Sequence, residues 1–240
     1  MTKSTIMCEM DLTAYAGLYT YEPLSDTTCA VTGYMHESPI CLVLPDRAPD
    51  GRTVVAVGDR AFAGRASLRT ITLPDSVVSI GRRAFAFCTD LVDVRIGNES
   101  RLSVIGDRAF MGCERLTVLR FGRLCALSMI GRHAFAYCTR LRSVVLPEGL
   151  DELAPSLFEG CTALEHILLP STLRFIRTGT FASCSALRVL QLPSSLSLIE
   201  DCAFAWCSRL TDLRLPASPC VIAATAFKDC LSLEDFLRAS

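Results

Sequence analysis

The sequence lacks several features on which common functions depend. No stretch approaches the roughly 18 consecutive apolar residues that a membrane-spanning helix needs, so we expect no membrane span. Met1 to Leu12 lacks the apolar core of a signal peptide, because Glu9 and Asp11 stand where that core would be. We therefore expect a cytoplasmic protein, or a cell-surface or secreted one if a leader has been removed.

Excess positive charge and catalytic motifs are also missing. The chain carries 24 Lys and Arg against 25 Asp and Glu, a formal net charge of −1. A dedicated nucleic-acid binder normally shows a basic excess, so we expect no nucleic-acid partner. There are only three histidines, and no metalloprotease, serine-hydrolase, dinucleotide-binding or phosphate-binding motif occurs. We expect no enzyme, no cofactor and no metal site.

One cassette recurs eight times along the chain. Its anchor is a phenylalanine, and successive anchors are 23 or 25 residues apart: Phe62, Phe85, Phe110, Phe135, Phe158, Phe181, Phe204 and Phe227. A leucine follows six residues after every anchor, and a cysteine follows three residues after every anchor except the first. Fixed spacing of this kind indicates a solenoid of stacked repeats.

Each repeat contains two predicted elements. An L-x-x-L-x-L segment such as 141–146 alternates in the manner of a short strand, with Val144 and Leu146 pointing inward. The segment at 81–88 indicates one or two helical turns, with Phe85 and Cys88 on one face. One repeat cannot bury its own apolar face, so neighbours must stack. We predict an α/β, curved leucine-rich-repeat solenoid of about eight repeats, with a parallel concave sheet and short helical turns on the convex side.

The repeat pattern also divides the chain. Residues 40–45 match the end of a repeat strand, whereas residues 1–38 lack the repeat. We predict an N-terminal capping segment over residues 1–38 and a solenoid over residues 39–240. A solenoid needs such a cap because its first repeat would otherwise expose the core.

The motif from Leu73 to Leu91, L-P-x-S-V-x-x-I-G-x-x-A-F-x-x-C-x-x-L, resembles the BspA-type leucine-rich repeats, which include treponemal leucine-rich-repeat proteins. The resemblance covers roughly residues 39–237. It implies a binding or adhesion protein, because many family members act in this way on the surfaces of bacteria and some protists. It implies no catalytic residues.

Thirteen cysteines, seven of them in the repeat column, invite two interpretations. Neighbouring column positions would lie about 5 Å apart, within the range for a disulfide. A cysteine beside a core phenylalanine is also a small buried hydrophobe. We favour reduced, buried thiols, because an oxidised framework would not explain an odd number of cysteines. The sequence contains no C-x-x-C pair, so the cysteine spacing does not indicate a zinc site.

Two surfaces are candidates for binding. The strand positions that point outward form an apolar concave patch with charged flanks, and such patches usually mark interaction sites. The predicted partner-binding residues are Val118, Arg120, Val145, His166, Leu168, Val189 and Gln191. β-Branched residues also simply suit exposed strands. The rival is a convex basic stripe of Arg60, Arg82, Arg83, Arg108 and Arg132. Two loops, 98–101 and 123–126, carry insertions that could protrude.

These observations favour non-catalytic recognition of a protein partner on the concave face. The alternative is a surface adhesin that binds a host matrix protein or a glycan. A third hypothesis is self-association through the apolar patch or through the end faces of the solenoid.

Overall fold

The computed structural model describes residues 16–36, 39–121, 125–216 and 218–232. Two columns of short strands run along the molecule. The first column contains β3 (Cys41–Val43), β5 (Thr70–Leu73), β7 (Asp93–Ile96), β9 (Val118–Leu119), β11 (Ser143–Val145), β13 (His166–Leu168), β15 (Val189–Gln191) and β17 (Asp212–Arg214). The second column contains β2 (Thr28–Tyr34), β4 (Thr53–Val57), β6 (Ser79–Ile80), β8 (Val104–Ile105), β10 (Met129–Ile130), β12 (Glu152–Leu153), β14 (Phe175–Ile176), β16 (Leu198–Ile199) and β18 (Val221–Ile222).

Strands in each column pair in parallel with the equivalent strand of the next repeat. In the first column, for example, Ser143 lies opposite both Val118 and His166. Hydrogen bonding divides this column into the sheets β3-β5-β7, β9-β11-β13 and β15-β17. The second column is divided once, between β10 and β12. The chain is therefore a β-solenoid with about eight turns.

At the N-terminal end, β1 (Tyr19–Pro23) pairs antiparallel with β2, and β2 pairs in parallel with β4. The buried Tyr19 donates a hydrogen bond from its hydroxyl to the carbonyl of Val43, 2.8 Å away. This hairpin lies at the end of the second column, where a cap is needed. The division of the chain at residue 38 stays a prediction.

The predicted leucine-rich-repeat solenoid is confirmed, but its helical turns, and with them the α/β class, are wrong. Among the described residues only Ala16, Leu231 and Ser232 are helical. This part of the chain contains no helix that could span a membrane. The backbone of the segment at 81–88 has positive φ angles of 55° at Arg83 and 60° at Phe87. Two left-handed residues four positions apart prevent a continuous helix, so the segment forms successive tight turns.

The segment at 81–88 and its equivalents in the other repeats form the third side of the solenoid, which we call the turn side. Backbone amides on the turn side alternate between two kinds of hydrogen-bond acceptor. The amides of Ala84 and Ala86 donate to carbonyls three residues back in their own repeat. The amides of Arg83, Phe85 and Phe87 instead donate to carbonyls of the next repeat, at 2.7 to 2.9 Å. Each turn segment thus satisfies some of its amides locally and uses the others to join its neighbour. The turn side is a third inter-repeat ladder beside the two strand columns.

The anchors form one stack of eight phenylalanine rings through the core. Successive ring centroids are 5.1 to 5.8 Å apart, and the ring planes differ by 4° to 12°. The first seven rings are at most 1% exposed. Leucines of the repeat pattern, such as Leu141 and Leu164, are fully buried around them. The regular spacing of the anchors along the chain therefore aligns identical side chains along the solenoid axis.

The cysteine column forms a second ladder beside the rings. The Cys138 thiol donates to the carbonyl of Phe110 in the preceding repeat, with 3.3 Å between sulfur and oxygen. The same bond recurs in every repeat from Cys88 to Cys230, at 2.9 to 3.3 Å. Burial raises the pKa of the Cys88 and Cys161 thiols to about 12. The column from Cys88 to Cys207 consists of unbridged thiols, which confirms the predicted buried cysteine ladder.

Candidate functional site

All seven residues of the predicted binding surface lie on or directly beside the first column. Alternation along the strands buries Val144, Ile167 and Leu190 and turns their neighbours outward. Val145 is 57% exposed, Leu168 65% and Val189 51%. His166, Gln191 and Arg120 are also exposed, while Val118 is half-buried. We call these seven residues the first-column patch.

Strand register decides which of these side chains lie together. Val145 pairs with Leu168, so their exposed side chains are direct neighbours. Ser143 separates Val118 from His166 along the adjacent row. A depression of about 580 Å³ is lined by Val118, Arg120 and Val145 together with Phe121 and Cys125. A second, of about 310 Å³, is lined by Val145, His166, Leu168, Val189 and Gln191. Val145 borders both, so the two depressions adjoin at its side chain.

Ion pairs flank the first-column patch on both sides. Arg95 pairs with Asp93 at 2.8 Å, and Arg214 pairs with Asp212 at 3.6 Å. All four side chains are at least 44% exposed, so these pairs add little to folding stability. They surround the apolar centre with charge of both signs, which is the usual composition of an interface rim.

The predicted basic stripe lies on the turn side rather than on helices. Arg60, Arg82 and Arg132 are exposed there. The interrupting acids have a structural role, because the Asp59 carboxylate accepts the amide of Arg82 at 2.7 Å and the Asp107 carboxylate accepts that of Arg132 at 2.9 Å. These bonds tie one repeat to the next. The stripe is therefore partly neutralised by carboxylates that the backbone holds in place.

The inserted loops differ in what can be described. In the first loop, Asn98 and Glu99 are exposed, whereas Ser100 is 3% exposed and its hydroxyl accepts the amide of Leu102 at 3.2 Å. The predicted second loop begins with Arg123, which lies outside the described residues. Among the described residues, no group of three or more His, Cys, Asp and Glu side chains could hold a metal ion.

Sequence reasoning missed a column of exposed aromatic rings on the turn side. Phe87, Tyr137 and Trp206 each lie two residues after an anchor and are 51%, 46% and 50% exposed. Each has a φ angle of 60°, which is an unusual conformation for a bulky side chain. We call these three residues the aromatic column. The detectable signal was glycine at the same position in other repeats, because a left-handed site normally takes glycine.

Two of these rings lie across the glycine of the following repeat. A Cβ atom on Gly112 would lie 2.7 Å from Cδ1 of Phe87, and one on Gly160 would lie 2.7 Å from Cδ1 of Tyr137. Both glycines are buried. The glycine in the following repeat therefore leaves room for the rings of Phe87 and Tyr137, whereas Asp229 occupies this position after Trp206.

A polar cluster surrounds the central ring of the aromatic column. The Tyr137 hydroxyl donates to Oε1 of Glu159 at 2.9 Å, and Nδ1 of His133 lies 3.5 Å from Oε2 of the same carboxylate. The hydrogen bond to Glu159 raises the pKa of Tyr137, with desolvation adding to the shift. The ring of Tyr137 is thus held by its tip as well as by its contact with Gly160.

The comparisons with known proteins agree with this architecture. The BspA type leucine rich repeat region matches in six copies over residues 50–126 and 103–234. A leucine-rich-repeat protein of T. pallidum is similar in structure, with a TM-score of 0.68 and 30% identity over 93% of this chain and 92% of that one. A leucine-rich-repeat protein from Bacteroides ovatus gives a TM-score of 0.76 and 28% identity over 85% of this chain and 53% of that one. The pneumococcal vaccine antigen PcpA, at 21% identity over 84% of this chain and 69% of that one, shares the fold with a TM-score of 0.53. No curated protein sequence matches the chain.

Proposed function

The chain belongs to the BspA-type leucine-rich-repeat family, and from this premise we propose that it is a non-catalytic recognition protein that holds a protein partner on the first-column patch. Repeat scaffolds of this kind bind proteins through surfaces that many stacked repeats share. The proposal assigns the contact to one of the three sides of the solenoid.

The observation that carries the proposal is the pairing of Val145 with Leu168 at 57% and 65% exposure. Fully burying one such aliphatic side chain is worth about 1.5–3 kcal/mol, so the solvated patch has a strong tendency to be covered. Part of that gain is offset by the entropy that two associating molecules lose. The flanking ion pairs of Asp93–Arg95 and Asp212–Arg214 would orient the partner more than they would hold it.

The test compares partner capture by the wild type and by a Val145→Asp, Leu168→Asp double variant. Both side chains are exposed, so the fold should survive, and circular dichroism checks this. A Val221→Asp variant is the matched control, because Val221 is 67% exposed on the second column. We expect a captured protein to be lost with the double variant and kept with the control. Capture that is equal for all three proteins would reject the first-column patch.

A surface adhesin is the alternative within the same family. It would use an exposed repeat face in the same way but requires export of the chain. Labelling intact cells with a membrane-impermeant reagent discriminates the two, since only an exported protein is labelled. Self-association through the first-column patch would appear in light scattering as a mass that rises with concentration in the wild type and not in the double variant.

A further inference from the structure

The aromatic column lies on a side of the solenoid that the proposed protein contact does not use. Phe87 and Tyr137 are two repeats apart, and Tyr137 and Trp206 are three repeats apart. Since stacked anchor rings advance 5.1 to 5.8 Å per repeat, the exposed rings should recur after about 10.5 Å and about 16.5 Å. The exposed rings of the aromatic column are therefore separated along the solenoid axis by whole multiples of one repeat step.

This spacing of the exposed rings fits the length of the units in a chain of pyranose sugars. One sugar of an extended β-1,4-linked glycan is about as long as the spacing between neighbouring strands. Rings two and three repeats apart would therefore meet every second and every third sugar. Both faces of a β-linked glucose ring carry axial C–H groups, and these pack against the negative face of an aromatic ring.

The polar groups beside the rings suit a neutral ligand with hydroxyl groups. The Glu159 carboxylate, held by Tyr137 and near His133, can accept hydrogen bonds from sugar hydroxyls. Arg83 stands four residues before Phe87, as His133 does before Tyr137, and its guanidinium can donate such bonds. A few placed polar groups on an apolar floor are what fixes a small ligand in orientation.

Charge and spacing argue against other occupants. The Glu159 carboxylate beside Tyr137 and Asp229 in the repeat after Trp206 would repel a phosphate backbone at those two rings, while Arg83 and its neighbouring arginines keep the Phe87 end of the column positive. A protein partner would need a continuous contact, whereas glycines and polar side chains separate these rings.

We propose that the aromatic column binds a linear, neutral, β-1,4-linked glycan chain along the solenoid axis, with sugar rings stacked on Phe87, Tyr137 and Trp206. The site is independent of the first-column patch, because it occupies a different side of every repeat. It also provides a direct optical probe, since Trp206 is the only tryptophan in the chain.

The experiment titrates the full chain with cellohexaose and, separately, with the N-acetylglucosamine hexamer, following tryptophan emission and heat. We expect one or both to bind with a dissociation constant at or below about 1 mM and to shift the emission of Trp206. The two arms distinguish a glucan from an amino-sugar glycan. A Phe87→Gly, Tyr137→Gly, Trp206→Gly triple variant should lose binding measured by heat, and each single variant should weaken it by about threefold or more.

Two controls keep the result specific. Ser183→Gly changes the same left-handed position, with φ of 62°, without removing a ring, and should leave the affinity unchanged. The Val145→Asp, Leu168→Asp variant should also bind the glycan normally, so failure of the protein-recognition proposal leaves this one standing. The inference is overturned if neither hexamer binds the wild type, if the triple variant binds as well as the wild type, or if a single-stranded oligonucleotide binds more tightly than both glycans.

Discussion

The phenylalanine stack leads to a quantitative prediction about position along the solenoid. Phe135 and Phe62 are both essentially buried, at 0% and 1% exposure. Phe135 has a stacked ring on each side, at 5.4 and 5.8 Å, whereas Phe62 stacks on Phe85 alone, at 5.3 Å. A Phe→Leu change therefore removes two ring contacts at Phe135 and one at Phe62. Burial is matched, so the difference between the variants reports the extra contact.

The magnitude follows from typical energies of each contribution. Replacing phenylalanine by leucine conserves much of the buried volume and costs up to about 1.5 kcal/mol at either site. A stacked aromatic pair contributes about 0.5–1.5 kcal/mol beyond its buried area. We expect Phe135→Leu to lower the free energy of unfolding by about 0.5–1.5 kcal/mol more than Phe62→Leu does. Phe110→Leu, with rings at 5.1 and 5.4 Å, is the replicate and should match Phe135→Leu.

The assay is equilibrium unfolding in urea, followed by far-ultraviolet circular dichroism. An unchanged dependence of the unfolding free energy on urea concentration shows that the variants report on the same transition. If Phe62→Leu costs as much as the two internal variants, the stack adds nothing beyond burial, and the ring contacts do not couple the repeats.

Three further predictions concern the thiols and the turns. At pH 8, iodoacetamide should modify the exposed Cys41 and leave the buried Cys138 unmodified until urea is added. Mass spectrometry identifies the modified cysteines. Labelling of Cys138 in the folded protein would contradict the buried cysteine ladder. Burial raises the pKa of Cys161 to about 12 from 9.0, so its contribution to stability is complete below pH 9 and is lost as pH rises towards 12. Stability measured in urea should therefore fall above pH 9, and the fall should be shallower in Cys161→Ala by up to about 1.4 kcal/mol per pH unit; parallel slopes would refute this. Gly112→Ala should destabilise the fold by about 1–2 kcal/mol, because the φ of Gly112 is 71° and an added Cβ would meet the ring of Phe87. Phe87→Gly should raise the melting temperature, because glycine adopts the left-handed conformation of this position without strain.

The sequence allowed the solenoid and its interior to be predicted. The interval between anchors requires each repeat to occupy one turn, and the recurring leucines and cysteines require those positions to meet in the core. The alternation within 141–146 likewise predicted that Val144 is buried and Val145 exposed, as observed. These features depend only on period, which a single sequence displays.

The helical turns could not be predicted correctly because the apolar spacing of Phe85 and Cys88 suits a helical turn and a tight double turn equally well. The conformation is decided by amides that donate to the next repeat, which is a long-range contact without a local signal. Glycine at positions 64, 112 and 160 was the clue to a left-handed residue, and Phe87 and Tyr137 at the equivalent positions obscured it. The choice among exposed faces also depended on side-chain exposure, which the repeat pattern does not specify.

The division of the second column between β10 and β12 has a mechanical consequence. Across that junction the turn side remains joined, because the amides of His133, Phe135 and Tyr137 donate to the carbonyls of Pro155, Leu157 and Glu159 at 2.7 to 3.1 Å. The strand columns are thus segmented, while the turns and the ring stack run through. The first column is interrupted at two other junctions, between β7 and β9 and between β13 and β15. Under tension along its axis, the molecule should carry load through the turns at every junction and bend first at these three places, where one strand column is missing.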